Sequence, residues 1–151
     1  MNYRTLGRCG VSVSEIGFGA WAIGGPSQAA GIQWGWGEVP EADAMAAVRR
    51  SRDLGVNFFD TADVYGMGRS EEILGKALAG EDDRVYIASK VGNVTRRGRL
   101  AKNFGRAHIE RPCEASLRRL RRDVLDLYQL HNPSMKIIHT GDWPEDRKSV
   151  V

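Results

Sequence analysis

No apolar run in this sequence approaches the roughly 18 residues that a membrane-spanning helix needs, and the first residues lack the apolar centre of a signal peptide. We therefore expect no membrane partner. Cysteine is scarce: Cys9 and Cys113 stand far apart, in no C-x-x-C and at no metal-ligand spacing. That excludes a disulfide framework and a cysteine-based metal site, and it reads as two free thiols in a reducing compartment, the cytoplasm. A strong charge of one sign is missing too, since 22 Lys and Arg face 19 Asp and Glu for a net +3. The bases are unevenly spread, however. Twelve lie between Arg84 and Arg122, against two acids, Glu110 and Glu114. A nucleic-acid partner would ask for aromatic residues among those bases or a binding motif, and neither is present. Arg118, Arg119, Arg121 and Arg122 flank Leu117 and Leu120 as the solvated face of a helix would.

What is present is a chain of 151 residues, 42% apolar and 27% charged, enough for one domain with a real core. Two short alternating runs, Tyr3–Leu6 and Val11–Val13, surround a turn at Gly7–Gly10 and predict a β-hairpin. A third short strand is expected over Ile16–Ala20, and residues 21–40, rich in Gly and Trp without a period, read as a long loop. Pro40 and Glu41 open a helix that stops at Gly55. Val56–Asp60 is the next strand. Ser70 caps a second helix ending before Gly80, and Val85–Lys90 is a strand. Ile109, Cys113, Leu117, Leu120 and Val124 repeat at helical spacing, giving a third helix to about Arg122 that starts near Pro112 or bends there, since proline inside a helix costs ~3 kcal/mol. Leu125–Leu130 is the last strand, and residues 133–151 read as an irregular tail. Alternating strands and helices predict a parallel sheet covered by helices. An open doubly wound sheet fits, and so does part of a (β/α)8 barrel; a whole barrel needs roughly 250 residues.

Gly17, Gly19 and Ala22 match G-x-G-x-x-G/A after a strand. The dinucleotide-binding version requires a helix to follow at once, and Gly24-Gly25-Pro26 follows instead, so the match is read as incidental. The strand ends are more informative, because parallel α/β folds build their sites there. The second strand of the series ends in Asp60, the third in Lys90, and the fourth runs into His131, while Tyr65 lies just past the second. Neighbouring parallel strands are ~4.8 Å apart, so these ends adjoin one another.

Each of the four alone is an ordinary strand-end or loop residue; together they suit one kind of chemistry. A free tyrosine titrates near ~10, poorly matched to neutral pH, whereas an ammonium beside it favours the phenolate and a carboxylate keeps that ammonium charged. A histidine can donate to a carbonyl oxygen. The set is a proton donor poised over a carbonyl, and the missing reactant is a hydride, which a nicotinamide would supply.

The segments "GFGAWAIGG", "GVNFFDTADVYG", "GRSEEILGKAL", "IASKVG", "EASLRRL" and "DLYQLHNP" resemble the aldo-keto reductases, in order and over nearly the whole chain. The resemblance implies an NADPH-dependent reductase of aldehydes and ketones on a (β/α)8 barrel whose N-terminal hairpin closes the floor. It implies Tyr65 as general acid, Lys90 and Asp60 tuning it, and His131 orienting the carbonyl. Trp21 and Asp60 would border the cofactor. Four strands amount to an N-terminal half-barrel, a single truncated domain over 1–151, and the polar and basic residues that hold NADPH in that family's second half are not found here. The isolated chain is therefore expected to turn over weakly or not at all. The alternative reading is a half-barrel interaction module that associates with itself or a second half-chain through its open sheet edges. Arg96, Arg97 and Arg99 leave the site-side edge and read as solvated loop charge rather than a phosphate site.

Overall fold

The computed structural model describes residues 1–29, 32–81, 84–97 and 99–140. An antiparallel hairpin, β1 (Tyr3–Thr5) and β2 (Ser12–Ser14), opens the chain with Tyr3 opposite Ser14. It is bonded to the segment that enters the sheet. The Tyr3 hydroxyl donates to the Gly55 carbonyl at 2.9 Å, and the Asn57 side chain accepts from the Ser14 amide at 2.6 Å and donates to the Ser12 carbonyl at 2.9 Å. The hairpin thus lies at the N-terminal end of the strands, away from the ends that carry chemistry.

Strand β3 (Phe18–Gly19) follows, shorter than its apolar run predicts. The expected long loop is partly ordered: a 3-10 turn at Ala22–Gly24 precedes an antiparallel pair, β4 (Ser27–Ala29) and β5 (Ile32–Trp34). No period-2 signal marked that pair, because it owes its shape to pairing within the excursion rather than to an apolar face. Helix α1 (Glu41–Asp53) starts after Pro40 with acids in its first turn and bases in its last, and the chain leaves it through Gly55 at φ +92°. Strand β6 (Phe58–Asp60) leads through a tight turn to α2 (Arg69–Ala77). Ser70 was expected to cap α2, but Gly68 holds that position and Ser70 lies inside the helix. The Ser70 hydroxyl is buried and donates to the Ala20 carbonyl at 2.7 Å, tying α2 to the end of β3.

Strand β7 (Tyr86–Val91) runs almost directly into a second hairpin, β8 (Asn93–Arg96) and β9 (Arg99–Lys102), where a loop was expected. Helix α3 (Arg106–Leu120) begins six residues before Pro112 and contains it. The ring deprives the His108 carbonyl of its helical partner. The extra first turns persist because they are anchored: Ile109 is buried, its carbonyl accepts from the Tyr128 hydroxyl at 3.2 Å, and Arg106 pairs with Glu110 at 2.8 Å. Tertiary contacts outweigh the local penalty. Strand β10 (Leu127–Leu130) completes the sheet. The tail expected to be irregular contains a short helix, α4 (Met135–Thr140); residues 141–151 lie outside the described residues.

The sheet is parallel in the order β10–β7–β6–β3, each strand beside its predecessor in sequence, with β3 and β10 at its edges. That is the winding of four successive β/α units of a partial barrel, so of the two architectures the barrel is the one found. Side chains alternate across it. Phe59 and Ile87 join Val48, Ile73, Leu74 and Leu120 in a fully buried core beneath the helices. Ser89, on the same face, donates to Glu71 of α2 at 2.5 Å, and Glu71 in turn holds Arg119 of α3 at 2.6 Å. Asp60 and Lys90 fall on the other face. Among the described residues, no helix is long and apolar enough to cross a membrane.

Candidate active site

Backbone bonds that continue past the strands fix the sheet's carboxyl edge. The Ala20 amide donates to Asp60, Thr61 to Ala88 and His131 to Val91, each at 2.8 Å. With Asp60 registered against Ala88, and Lys90 against Gln129, the strand ends named from the sequence stand side by side.

Lys90 is the centre of the group. Its side chain is 16% exposed, and its ammonium donates to Asp60 Oδ1 at 2.5 Å, to the Thr61 carbonyl at 2.7 Å and to Tyr65 Oη at 3.3 Å. An ammonium has three donors, and here each has an acceptor. One consequence concerns the phenol. Because Tyr65 Oη accepts from Lys90, its own proton is directed elsewhere and is free for a third party. The ammonium also stands 4.9 Å from the ring centroid.

Tyr65 is held by an unusual turn. Gly66 lies at φ +59°, and a Cβ there would stand 2.0 Å from the Gly24 carbonyl oxygen. Only glycine permits that approach, which presses the 21–25 excursion against the tyrosine. As a result Trp21 lies 6.2 Å from the Tyr65 ring, inclined by 33°, and Trp36 meets Trp21 edge-on at 6.0 Å. Trp21 is 43% and Trp36 72% exposed, so the site has an open aromatic wall.

His131 stands on the other side of Tyr65, ring to ring at 5.8 Å and perpendicular. Burial first, then the charges of Lys102 and Lys90, push its pKa down to about 4, against the opposing pull of Asp60. It is therefore neutral at physiological pH. Among the described residues its Nδ1 is buried without a partner. A stranded acceptor costs less than a stranded N–H, so we assign the proton to Nε2, which leaves Nε2 as the donor available to a carbonyl oxygen. Lys102 of β9 donates to the His131 carbonyl at 2.6 Å and to Asn93 Oδ1 at 2.6 Å. Asp63 lies nearby with Oδ1 buried and, among the described residues, unpartnered; burial and then the Glu71 charge raise its pKa to about 7, with Arg119 among the groups opposing.

All five residues singled out from the sequence (Trp21, Asp60, Tyr65, Lys90 and His131) are thus linked in one row at the carboxyl edge. The sequence reading missed Trp36, the Thr61 carbonyl, Asp63 and Lys102. Trp36 carried a usable signal: it is flanked by Gly35 and Gly37, both at positive φ, which present its ring from a loop. Lys102 carried none, because the hairpin that delivers it read as loop. Among the described residues, no group of three or more His, Cys, Asp or Glu could hold a metal ion.

Comparisons with known proteins give the family to which the chain belongs. The Aldo/keto reductase family signature matches residues 15–137. Aldo-keto reductase YhdN of Bacillus subtilis (strain 168) is 38% identical over 135 residues, 88% of this chain and 38% of that protein. The holo form of aldo-keto reductase AKR11C1 from Bacillus halodurans superposes with a TM-score of 0.76 at 34% identity, over 90% of this chain and 42% of that one. An aldo-keto reductase from Klebsiella pneumoniae, solved in complex with NADPH, gives 0.61 at 34% identity, over 83% of this chain and 37% of that one. The chain spans about two fifths of the length of the relatives it matches. On the span of the signature, the chain belongs to the aldo/keto reductase family.

Proposed function

We propose that this chain carries the proton-donating half of an NADPH-dependent carbonyl reductase, which converts aldehydes or ketones to alcohols. The observation that carries the reading is the triply bonded Lys90 ammonium, which leaves the Tyr65 proton free and stabilises the oxygen left behind. Tyr65 gives its proton to the substrate oxygen as negative charge develops there. His131 donates through Nε2 to the same oxygen and orients it, a neutral donor whose own proton stays in place. Asp60 pairs with Lys90 and fixes its ammonium at the strand end. A nicotinamide suits this edge: Trp21 offers a partly exposed ring beside Tyr65, and Asp60 Oδ2 takes no part in the Lys90 bond, so these two residues would border it. When bound, that cofactor supplies the hydride.

Because the chain spans only part of its relatives, the test uses a chimaera in which residues 15–137 replace the matching stretch of the Bacillus subtilis relative. NADPH-dependent reduction of a broad aldehyde is measured with and without Tyr65→Phe. Loss of the hydroxyl should lower kcat about 10²- to 10⁴-fold with little change in KM. A Phe variant that turns over at the parent rate would sink the assignment of Tyr65.

A further inference from the structure

The hairpin β8–β9 rises from the site edge two residues beyond β7 and is tied to it by Lys102, which holds the His131 carbonyl. Its tip contains Arg96, Arg97 and Arg99, all exposed, and among the described residues no carboxylate pairs with any of them. Two features of the tip oppose its own folding. Arg96 and Arg99 are directly opposite in the register, a like-charge cross-strand pair. Arg97 adopts φ +51°, a left-handed conformation that Gly or Asn would take with less strain. Surface arginines are common; three on one turn, in a geometry that costs the fold, are not explained by solvation. A bound anion would relieve the repulsion and use the strain. The tip also has room, since the three arginines and Ala101 line an open recess of ≈ 580 Å³. An adjoining recess of ≈ 520 Å³ shares Arg96 and Ala101 and extends to Lys102.

The rings and charges therefore follow one path: Trp36, Trp21, Tyr65, His131, Lys102, then the arginine tip. Three residue steps of β-strand separate the Asn93–Lys102 pair from the Arg96–Arg99 pair, on the order of 10 Å. Against the reading of these arginines as plain loop charge, we propose that the hairpin tip is an anion-binding subsite for the phosphate or carboxylate end of a carbonyl substrate. The carbonyl itself lies between Tyr65 and His131. The placement of the carbonyl rests on the function proposed above; the anion site rests on the hairpin alone.

The test is NMR titration of the full chain, following the backbone amides of the tip and the His131 ring. Inorganic phosphate, at ionic strength matched with chloride, should shift the tip amides saturably. The triple variant Arg96→Gln, Arg97→Gly, Arg99→Gln should bind it about tenfold or more weakly, with Gly at 97 easing the turn so that the hairpin is retained. 4-Carboxybenzaldehyde should shift both the tip and the His131 ring, and benzaldehyde the ring alone. An absent phosphate response, or equal affinity in the triple variant, overturns the anion site. A carboxybenzaldehyde response confined to the tip overturns the substrate assignment. So does a tip that answers to NADP⁺ in place of the aldehyde, which would give the subsite to the nucleotide. None of these readouts requires turnover, so a failure of Tyr65 as proton donor in the chimaera would register separately.

Discussion

Two clusters of positive charge stand on the same edge of this sheet, and the fold treats them in opposite ways. Lys90 is 16% exposed and has an acceptor for each of its three donors. Arg96, Arg97 and Arg99 are exposed, with no carboxylate on them among the described residues, on a turn that strains one of them. An ammonium with every donor used is a fixed electrostatic fitting: its field at Tyr65 is set in advance and needs no reorganisation when charge develops. A guanidinium cluster with no carboxylate on it among the described residues is the reverse, a field that the fold presents outward. The comparison teaches that a charge's partners, more than its sign or sequence position, tell whether the fold consumes it or presents it.

The sharpest way to break the comparison is to remove the satisfied charge. In the chimaera, Lys90→Met leaves Asp60 without its counter-ion and the Tyr65 oxygen without its donor, so kcat should fall about 10²- to 10³-fold. Lys90→Arg should not rescue it, because a planar fork cannot aim at three converging acceptors as an ammonium does. The thermal midpoint should move little by comparison, since Asp60 is 37% exposed and its pairing is screened by water. If stability collapsed while the folded fraction kept its rate, Lys90 would be a structural cation like Arg119 beside Glu71, and the contrast with the hairpin would disappear.

His131 lies between the two clusters and gives a second, smaller test. Its folded pKa is about 4 against 6.5 in an open chain, so between those values the unfolded state binds the extra proton. Stability from this group is present above 6.5 and lost as pH falls toward 4. Asp63 has the opposite sign. Its folded pKa is about 7 against 3.8, so the folded state holds the extra proton, and stability falls as pH rises through that window. From pH 4 to 6.5 the two slopes oppose each other. His131→Gln should therefore expose a decline in urea midpoint with rising pH, and Asp63→Asn an increase, each at most about 1.4 kcal/mol per pH unit. Parallel curves for both variants and the parent would show that neither group is held as the structure places it.

These residues also show what the sequence could reveal. Asp60, Lys90 and His131 were legible because they end apolar runs, and parallel strands bring their ends together whatever lies between. Tyr65 came with them because its loop starts where Asp60 stops. Trp36 and Lys102 depend instead on short hairpins, β4 with β5 and β8 with β9, whose strands carry no apolar alternation to read. The early start of α3 was not legible either: a start near Pro112 or a bend there was expected, and the helix contains the proline. Pro112 is a strong local signal, but the bond to the Ile109 carbonyl comes from Tyr128, 19 residues further along on β10, and a short window along the chain does not contain both cause and effect. Ser70 read as a cap because capping is local; the Ala20 carbonyl it actually meets is fifty residues away.

The smallest expected effect tests the open side of the comparison in the fold alone. Arg97 at φ +51° costs on the order of 1 kcal/mol relative to glycine, and it does so on a turn whose flanking pair, Arg96 and Arg99, is already repulsive. Arg97→Gly should therefore raise the stability of the chain by about 1 kcal/mol in a urea melt. It does so by removing strain and one positive charge at once, and salt separates the two. Screening weakens the repulsion but leaves the dihedral untouched, so the part of the gain that survives in 1 M salt, where the screening length is ~3 Å, belongs to the backbone. If the variant is no more stable at any salt concentration, the left-handed arginine is not strained, and the tip loses one of the two reasons for regarding it as built to receive an anion. If the gain is there, the natural residue is the less stable choice at this turn, as expected of a side chain placed to receive an anion rather than to hold the fold.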